Sequence, residues 1–299
     1  MNTMVGFIGL GVMGAGMAKN IIEAGIPLTI TTSSPQKADT YREIGAHVVS
    51  SPRDVAANAQ LIVTCVPDAA ALRAIIAGPD GIAAGNWQDG LLLDCSTIAP
   101  FEAEEMAERL SEIGAQFIDA PVSGGRKGAE SGSLTIMCGG DAVLIERARH
   151  VLDAMGNNIH HVGPLGAGQA VKACNQLMVA VNLMGVCEAI AMARSAGVDP
   201  KLMQQVLSTG AARSGVLEAH GQRYIDNQLE GGFRSDLMKK DLGIAAAVGT
   251  HYQRTQPATN LAHQLMQASC NAGFAHLDSA ALGLLYDSLN GADSWGDNE

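Results

Sequence analysis

Short apolar runs and longer amphipathic segments alternate through the first half of the chain. Residues 5–8, 28–31, 61–66, 91–94, 116–119 and 134–138 are rich in aliphatic and β-branched side chains and almost unbroken by charge. That is the pattern of strands buried on both faces. Between them lie Ala-, Glu- and Arg-rich stretches with helical spacing, among them 15–24, 101–113 and 142–155. The alternation predicts a parallel sheet with helices on both sides. Near Gly163 the pattern changes. Pro164, Gly166 and Gly168 punctuate the chain, and only helix-period segments follow, at 169–196, 200–209, 237–252 and 259–272. The expected organisation is an α/β domain over residues 1–164, its sheet covered on both faces, and an all-α domain over 165–299.

Composition narrows the partners. With 19 Lys and Arg against 30 Asp and Glu, the net charge is -11, which repels phosphate backbones and argues against nucleic acid. Aromatic residues make up only 4%, too few for a base-stacking platform. The opening residues show no basic run leading into an apolar core, so no signal peptide is expected. The uncharged stretch 173–187 contains Asn175, Gln176 and Asn182 and falls short of the roughly 20 apolar residues of a membrane span. It reads as a buried helix with no membrane role, and Met178, Met184 and Met192 read as its core fillers. The six cysteines form no C-x-x-C pair and fit buried thiols of a reducing cytoplasm. His160 and His161 are adjacent and lack a nearby carboxylate, so no metal site is expected, and the pair reads as a strand end before Gly163.

The chemistry begins at residues 6–14, GFIGLGVMG, which hold G-x-G-x-x-G at Gly9, Gly11 and Gly14. Alone this motif is weak. Here it leaves an apolar strand and enters a helical segment, the context that a dinucleotide site requires. Gly9 permits the tight turn, Gly11 lets a pyrophosphate approach the backbone, and Gly14 lets the helix pack on the strand. The helix N-terminus around Val12 and Met13 would then present its N–H groups to the phosphates. A plain βα turn is the competing reading. After the second run come Thr31, Thr32, Ser33, Ser34 and Lys37, with no carboxylate for a ribose 2′-hydroxyl. Hydroxyls and Lys37 tolerate a 2′-phosphate, which favours NADP while leaving NAD open. Ser34 before Pro35 also reads simply as a helix cap.

Five motifs in order give the chain a family resemblance. Residues 6–14 are joined by Asp94-Cys95-Ser96-Thr97, by Asp119-Ala120-Pro121-Val122-Ser123-Gly124-Gly125, by the Gly163–Gln176 stretch with Lys172, and by Leu237-Met238-Lys239-Lys240-Asp241-Leu242. Together they resemble the β-hydroxyacid dehydrogenases, short relatives of 6-phosphogluconate dehydrogenase, over nearly the whole chain. The resemblance implies an N-terminal doubly wound domain of the Rossmann type joined by a long helix to an all-α C-terminal domain. It also implies an NAD(P)-dependent oxidoreductase that interconverts a small 3-hydroxy acid and its semialdehyde, acting as a homodimer or homotetramer. It implies that Lys172 is the catalytic lysine and Asn175 the substrate-orienting amide, with Ser123, Gly124 and Gly125 receiving the substrate carboxylate. Val66, Pro67, Thr97 and Lys240 match cofactor contacts. Two departures stand out. Gln176 replaces a frequent second Asn, and Ser33 stands where many members have an acidic residue or Arg.

The residues themselves bear on that chemistry. An alkoxide formed by hydride transfer needs a proton, and a lysine in apolar surroundings can supply it. Lys172, Asn175 and Gln176 stand at i, i+3 and i+4, on one face of a helix, with Ala173, Cys174, Leu177 and Met178 around them. The same spacing also fits a lysine reaching out to solvent. Ser123 with its two glycines offers a hydroxyl and accessible backbone N–H groups to an anion, although a plain glycine turn has the same look. Among substrates, the runs Phe233-Arg234-Ser235-Asp236-Leu237 and Asp278-Ser279-Ala280-Ala281-Leu282 are closer to tartronate semialdehyde (2-hydroxy-3-oxopropionate) reductases than to 3-hydroxyisobutyrate dehydrogenases. A non-catalytic NAD(P)-binding scaffold is the reading from another class, and the lysine, amide and serine weigh against it.

Overall fold

A computed structural model describes residues 4–291 and divides into two compact units, Met1–Lys172 and Ala173–Glu299. In the first, nine strands form one sheet: β1 (Val5–Ile8), β2 (Leu28–Thr31), β3 (His47–Val49), β4 (Leu61–Thr64), β5 (Leu91–Asp94), β6 (Gln116–Asp119), β7 (Val122–Ser123), β8 (Leu134–Gly139) and β9 (Gly156–Gly163). Its order is β3-β2-β1-β4-β5-β6-β8-β7, with β9 on the free side of β8. The first six strands are parallel in the doubly wound order 3-2-1-4-5-6, and β8 runs antiparallel to β6. Strand order reverses between β1 and β4, so the crevice at their carboxyl ends is where such a sheet receives a ligand.

The helices of this unit are α1 (Val12–Glu23), α2 (Pro35–Glu43), α3 (Pro52–Asn58), α4 (Ala69–Ala77), α5 (Pro100–Ser111), α6 (Gly125–Glu130), α7 (Ala142–Arg147) and α8 (Arg149–Met155). They cover both faces, and the strands show it residue by residue. Phe7, Val63 and Leu93 turn into one core with Met17 and Leu152, while Ile8, Ile62 and Leu92 turn into the other with Leu72 and Met106. Trp87 closes the second core, 1% exposed, and its indole donates to the Ala59 carbonyl at 2.7 Å. The expected single helix over 142–155 is two, broken at Ala148 (φ -86°, ψ -3°).

The second unit is helical, with one isolated bridge between Arg234 and Asp278. Helix α9 (Ala167–Ser195) begins in the first unit and runs on into the second, followed by α10 (Pro200–Leu207), α11 (Gln222–Ile225), α12 (Ser235–His251), α13 (Pro257–Ser269) and α14 (Leu282–Leu289). Its core gathers Leu183, Cys187 and Ile190 with Tyr224, Leu242, Met266 and Leu282. Of the three methionines expected inside, only Met184 is buried. Met178 and Met192 are 57% and 72% exposed, and Cys174 is exposed too. A helix of 29 residues can turn only part of its circumference into its own unit, so an apolar stripe stays outside. By length and composition α9 could cross a membrane, with 44% of its most apolar window buried inside the protein.

Two buried carboxylates end adjacent strands. Asp94 and Asp119 are register partners on β5 and β6, both 0% exposed. Asp94 Oδ1 accepts from Thr64 Oγ1 (2.7 Å), Ser96 Oγ (2.6 Å) and Ser96 N (3.2 Å), whereas Oδ2 is buried without a hydrogen-bond partner among the described residues. Burial outweighs those bonds and pushes its carboxyl up to about 6. The folded protein therefore holds this proton more tightly than the unfolded chain. The resulting stabilisation is complete below about pH 4, where the unfolded carboxyl also protonates, and is lost as pH rises through about 6. Asp94→Asn is permanently neutral, so its melting temperature should rise relative to wild type between pH 4.5 and 8. A difference that stays flat across that range would show that Asp94 is ionised in the fold throughout.

Candidate active site

The glycine turn lies at the carboxyl end of β1, and its three glycines are required for different reasons. Gly9 has φ +106°, and a Cβ there would lie 2.2 Å from the Cys65 carbonyl oxygen. At Gly14 a Cβ would meet the Gly9 carbonyl oxygen at 2.0 Å. The turn and its helix thus need both glycines for themselves. Gly11 is different: its φ of -73° suits any residue, and a Cβ would meet nothing within 4 Å. Neither backbone strain nor packing asks for glycine there, whereas a phosphate approaching α1 does. Gly11 is also the N-cap of α1 and supplies no side-chain cap to the N–H groups of the first turn. This turn fits a dinucleotide.

The neighbouring loops are stitched together across the sheet. Ser96 Oγ, which donates to Asp94, also accepts from Val66 N at 2.9 Å. The Val66-Pro67 corner after β4 and the Ser96-Thr97 corner after β5 are therefore fixed to each other beside the switch point. After β2, Ser34 caps α2 by accepting from Lys37 N, and Thr32 Oγ1 accepts from Ser34 N at 3.2 Å. Lys37 Nζ reaches back to the Leu10 carbonyl at 2.6 Å, which puts its ammonium against the glycine turn. Ser33 is exposed.

Asp119 closes the next strand and does what no local pattern announced. Its Oδ1 accepts from Gly166 N (2.8 Å) and its Oδ2 from Gln169 N (2.9 Å), so one carboxylate caps the start of α9. Burial raises its carboxyl above the usual range, against the pull of those N–H donors. Gln169 adds two bonds of its own, Nε2 to the Ser96 carbonyl at 2.9 Å and Oε1 from Ile98 N at 3.2 Å. Helix α9 thus starts in a fixed place and at a fixed rotation. Less than one turn beyond Gln169, Lys172 is 7% exposed, and its Nζ donates to the Val122 carbonyl at 2.9 Å.

That bond brings two separately nominated pieces together, the lysine and the Ser123-Gly124-Gly125 loop. Ser123 ends β7, paired with Thr135, and Gly124 (φ +136°) turns the chain into α6. Gly125 has φ +61°, with open space where a Cβ would stand. Arg126, next in line, is ion-paired with Glu130 on the surface.

Asn175, Gln176 and Lys240 lie in the second unit. Asn175 Nδ2 donates to Gln176 Oε1 (2.7 Å), Gln176 Nε2 donates to Asp241 Oδ2 (2.6 Å), and Lys240 Nζ stands 3.1 Å from Asp241 Oδ1. Asp241, 3% exposed, was visible in sequence only as a motif letter, as were Asp94 and Asp119. The two runs read for substrate preference also meet. Asp278, fully buried, accepts from Phe233 N (2.9 Å) and Arg223 Nη1 (2.5 Å), which ties residues 233–237 to residues 278–282.

Comparison with known proteins agrees with this layout. The sequence model for the NAD binding domain of 6-phosphogluconate dehydrogenase matches residues 4–163, more than half of the chain. A second, for the NAD-binding region of NADP-dependent 3-hydroxyisobutyrate dehydrogenase, matches residues 166–286. The chain belongs to the β-hydroxyacid dehydrogenase family. Among its relatives, 2-hydroxy-3-oxopropionate reductase of Escherichia coli is 37% identical over 93% of this chain and 95% of that protein. The human mitochondrial 3-hydroxyisobutyrate dehydrogenase is 37% identical over 94% of this chain and 85% of its own length. A solved 3-hydroxyisobutyrate dehydrogenase of Mycobacterium tuberculosis with L-serine superposes at a TM-score of 0.87, with 31% identity over 96% of this chain and 99% of that one. As a β-hydroxyacid dehydrogenase, this protein is an NAD(P)-dependent oxidoreductase.

The contrast between the glycines predicts opposite phenotypes. Gly11→Ala should fold with a melting temperature close to wild type yet bind NAD(P)H about tenfold or more weakly, because a methyl group takes the phosphate's place. Gly14→Ala should instead lose stability, since its Cβ overlaps the Gly9 carbonyl. Fluorescence titration and thermal melting check the pair; unchanged cofactor affinity in Gly11→Ala would count against the assigned phosphate position.

Proposed function

We propose that this enzyme interconverts a small 3-hydroxy acid and its semialdehyde, with 2-hydroxy-3-oxopropionate as the preferred aldehyde. One observation carries the reading: the buried ammonium of Lys172 sits on the Val122 carbonyl, beside the Ser123-Gly124-Gly125 turn. A carboxylate bound by the Ser123 hydroxyl and the backbone N–H groups of that turn would bring its β-carbon within reach of the lysine. In this reading residues 1–164 are the cofactor-binding domain and residues 165–299 the substrate and oligomerisation domain.

The nicotinamide, when bound, supplies hydride for reduction and accepts it for oxidation. The phosphates of the dinucleotide would approach at Gly11 and meet the N–H groups around Val12 and Met13, while Gly9 and Gly14 give the turn its shape, and Thr32, Ser33, Val66, Pro67, Thr97 and Lys240 would be further contacts. Lys172 gives its Nζ proton to the oxygen of the reduced carbonyl, and takes the hydroxyl proton in the reverse direction. Asn175 holds that same oxygen, and Gln176 stands beside it. Lys37 against the glycine turn, with no carboxylate after β2, favours NADP over NAD.

For substrate choice, support comes from the E. coli reductase and from the two runs joined at Asp278. The L-serine dehydrogenase of Pseudomonas aeruginosa, 34% identical over 96% of this chain, adds a third compound to test. Exposed Val171, Met178, Met192, Leu202 and Val206 support a homodimer or homotetramer, and the six free thiols fit a reducing cytoplasm.

The test is a panel of 2-hydroxy-3-oxopropionate, methylmalonate semialdehyde, 3-hydroxyisobutyrate and L-serine, with both cofactors. Wild type should turn over the first fastest and bind NADPH more tightly than NADH. Lys172→Ala should lose roughly a hundredfold or more in kcat with cofactor affinity retained. Undiminished turnover in that variant, or no turnover of any panel member by wild type, would overturn the reading.

A further inference from the structure

The hydrogen-bond chain that links two amides on α9 to a carboxylate on α12 has only one consistent direction, and it starts at a residue to which the proposed chemistry gives no part. A carboxylate can only accept hydrogen bonds. Asp241 is 3% exposed, so its Oδ2, 2.6 Å from Gln176, compels that amide to present its NH2 group. Gln176 Oε1 must then face the other way, where it accepts from Asn175 Nδ2 at 2.7 Å. The Asn175 amide is fixed in turn. Its NH2 group is directed at Gln176, and the end left to face a ligand is Oδ1, an acceptor.

We propose that Asp241 is a positioning residue which, acting through Gln176, turns the Asn175 carbonyl oxygen toward the substrate and so selects for a hydroxyl or ammonium donor there. The inference rests on the reading of Asn175 as the substrate-orienting amide. Its consequence is chemical. Asn175 Oδ1 accepts the O–H of a bound hydroxy acid, or an N–H of a bound ammonium group. A reversed amide would present NH2 to either donor and repel it. Local sequence does not set this direction, because Gln176 and Asp241 are 65 residues apart.

Exchanging the two end groups tests the relay. In Asp241→Asn the residue can donate as well as accept, so Gln176 and Asn175 are free to flip. kcat should fall about 10- to 100-fold, with NAD(P)H affinity unchanged. Gln176→Glu alone sets two carboxylates against each other and should lower the melting temperature. The double variant Asp241→Asn/Gln176→Glu restores the direction. Its carboxylate, now at position 176, accepts from the amide at position 241 on one side and from Asn175 on the other. Its kcat should recover most of the loss.

Wild-type kcat in Asp241→Asn, or a double variant no better than the single ones, would overturn the proposal. So would a weakened cofactor affinity that the double variant fails to recover, since Asp241 would then be acting through Lys240. If wild type turns over no hydroxy acid, the proposed activity fails on its own, and thermal melting decides the relay. Single variants that melt low and a double variant that melts near wild type support it, whereas additive losses refute it.

Discussion

One buried carboxylate holds the first turn of the long helix. Asp119 ends an otherwise apolar strand, and both of its oxygens accept backbone N–H groups, from Gly166 and from Gln169. Four N–H groups at a helix start lack partners within the helix, and burying them unmet would cost more than the bonds supply. The cap therefore decides where α9 begins and how it is rotated. Glycine makes this approach possible: a Cβ at Gly168 would stand 2.2 Å from the Met137 carbonyl oxygen, and one at Gly139 would stand 2.5 Å from Asp119 itself. Lys172, in the first turns of α9, inherits its position from that corner.

The same device recurs with different partners. Asp94 gathers Thr64 and Ser96, and through Ser96 the Val66 corner, so the loops at the switch point share one anchor. Asp241 fixes an amide and Asp278 fixes the chain around Phe233. All four carboxylates are nearly or fully inaccessible. Buried charge of this kind is costly unless it is well bonded, and in each case the bonds hold a loop or a side chain of the candidate site. The sheet and the helical core supply stability, and these acids supply register.

Much of this architecture was legible from the residues. Six strands were readable because each is buried on both faces and nearly free of charge, as Leu91–Asp94 is. Strands β3 and β7 were not, and of β9 only the end at His160 and His161 was. His47–Val49 is three residues long and opens on an exposed histidine, Val122–Ser123 is two residues long, and Gly156–Gly163 carries Asn157, Asn158, His160 and His161 on an exposed edge. An edge strand needs no apolar alternation, so periodicity cannot find it. The exposed methionines of α9 failed the opposite way: composition read them as core, but helix length left them outside. The site divides along the same line. Motifs that work locally, such as Gly9–Gly14 or the cap at Ser34, could be read with their physical reasons. Asp119 could not, because its partners lie 47 and 50 residues further on. A carboxylate closing an apolar strand was the available signal, and it stands at both Asp94 and Asp119.

The dependence of Lys172 on the Asp119 corner is open to direct measurement. An amide at position 119 keeps one acceptor oxygen and turns an NH2 group toward the N–H groups it should cap. Steady-state kinetics of Asp119→Asn, set beside a cofactor titration, reads the effect. If the corner places the lysine, kcat falls tenfold or more, on the order of what an ångström of misplacement costs, with NAD(P)H affinity preserved. A folded variant that turns over like wild type would contradict it.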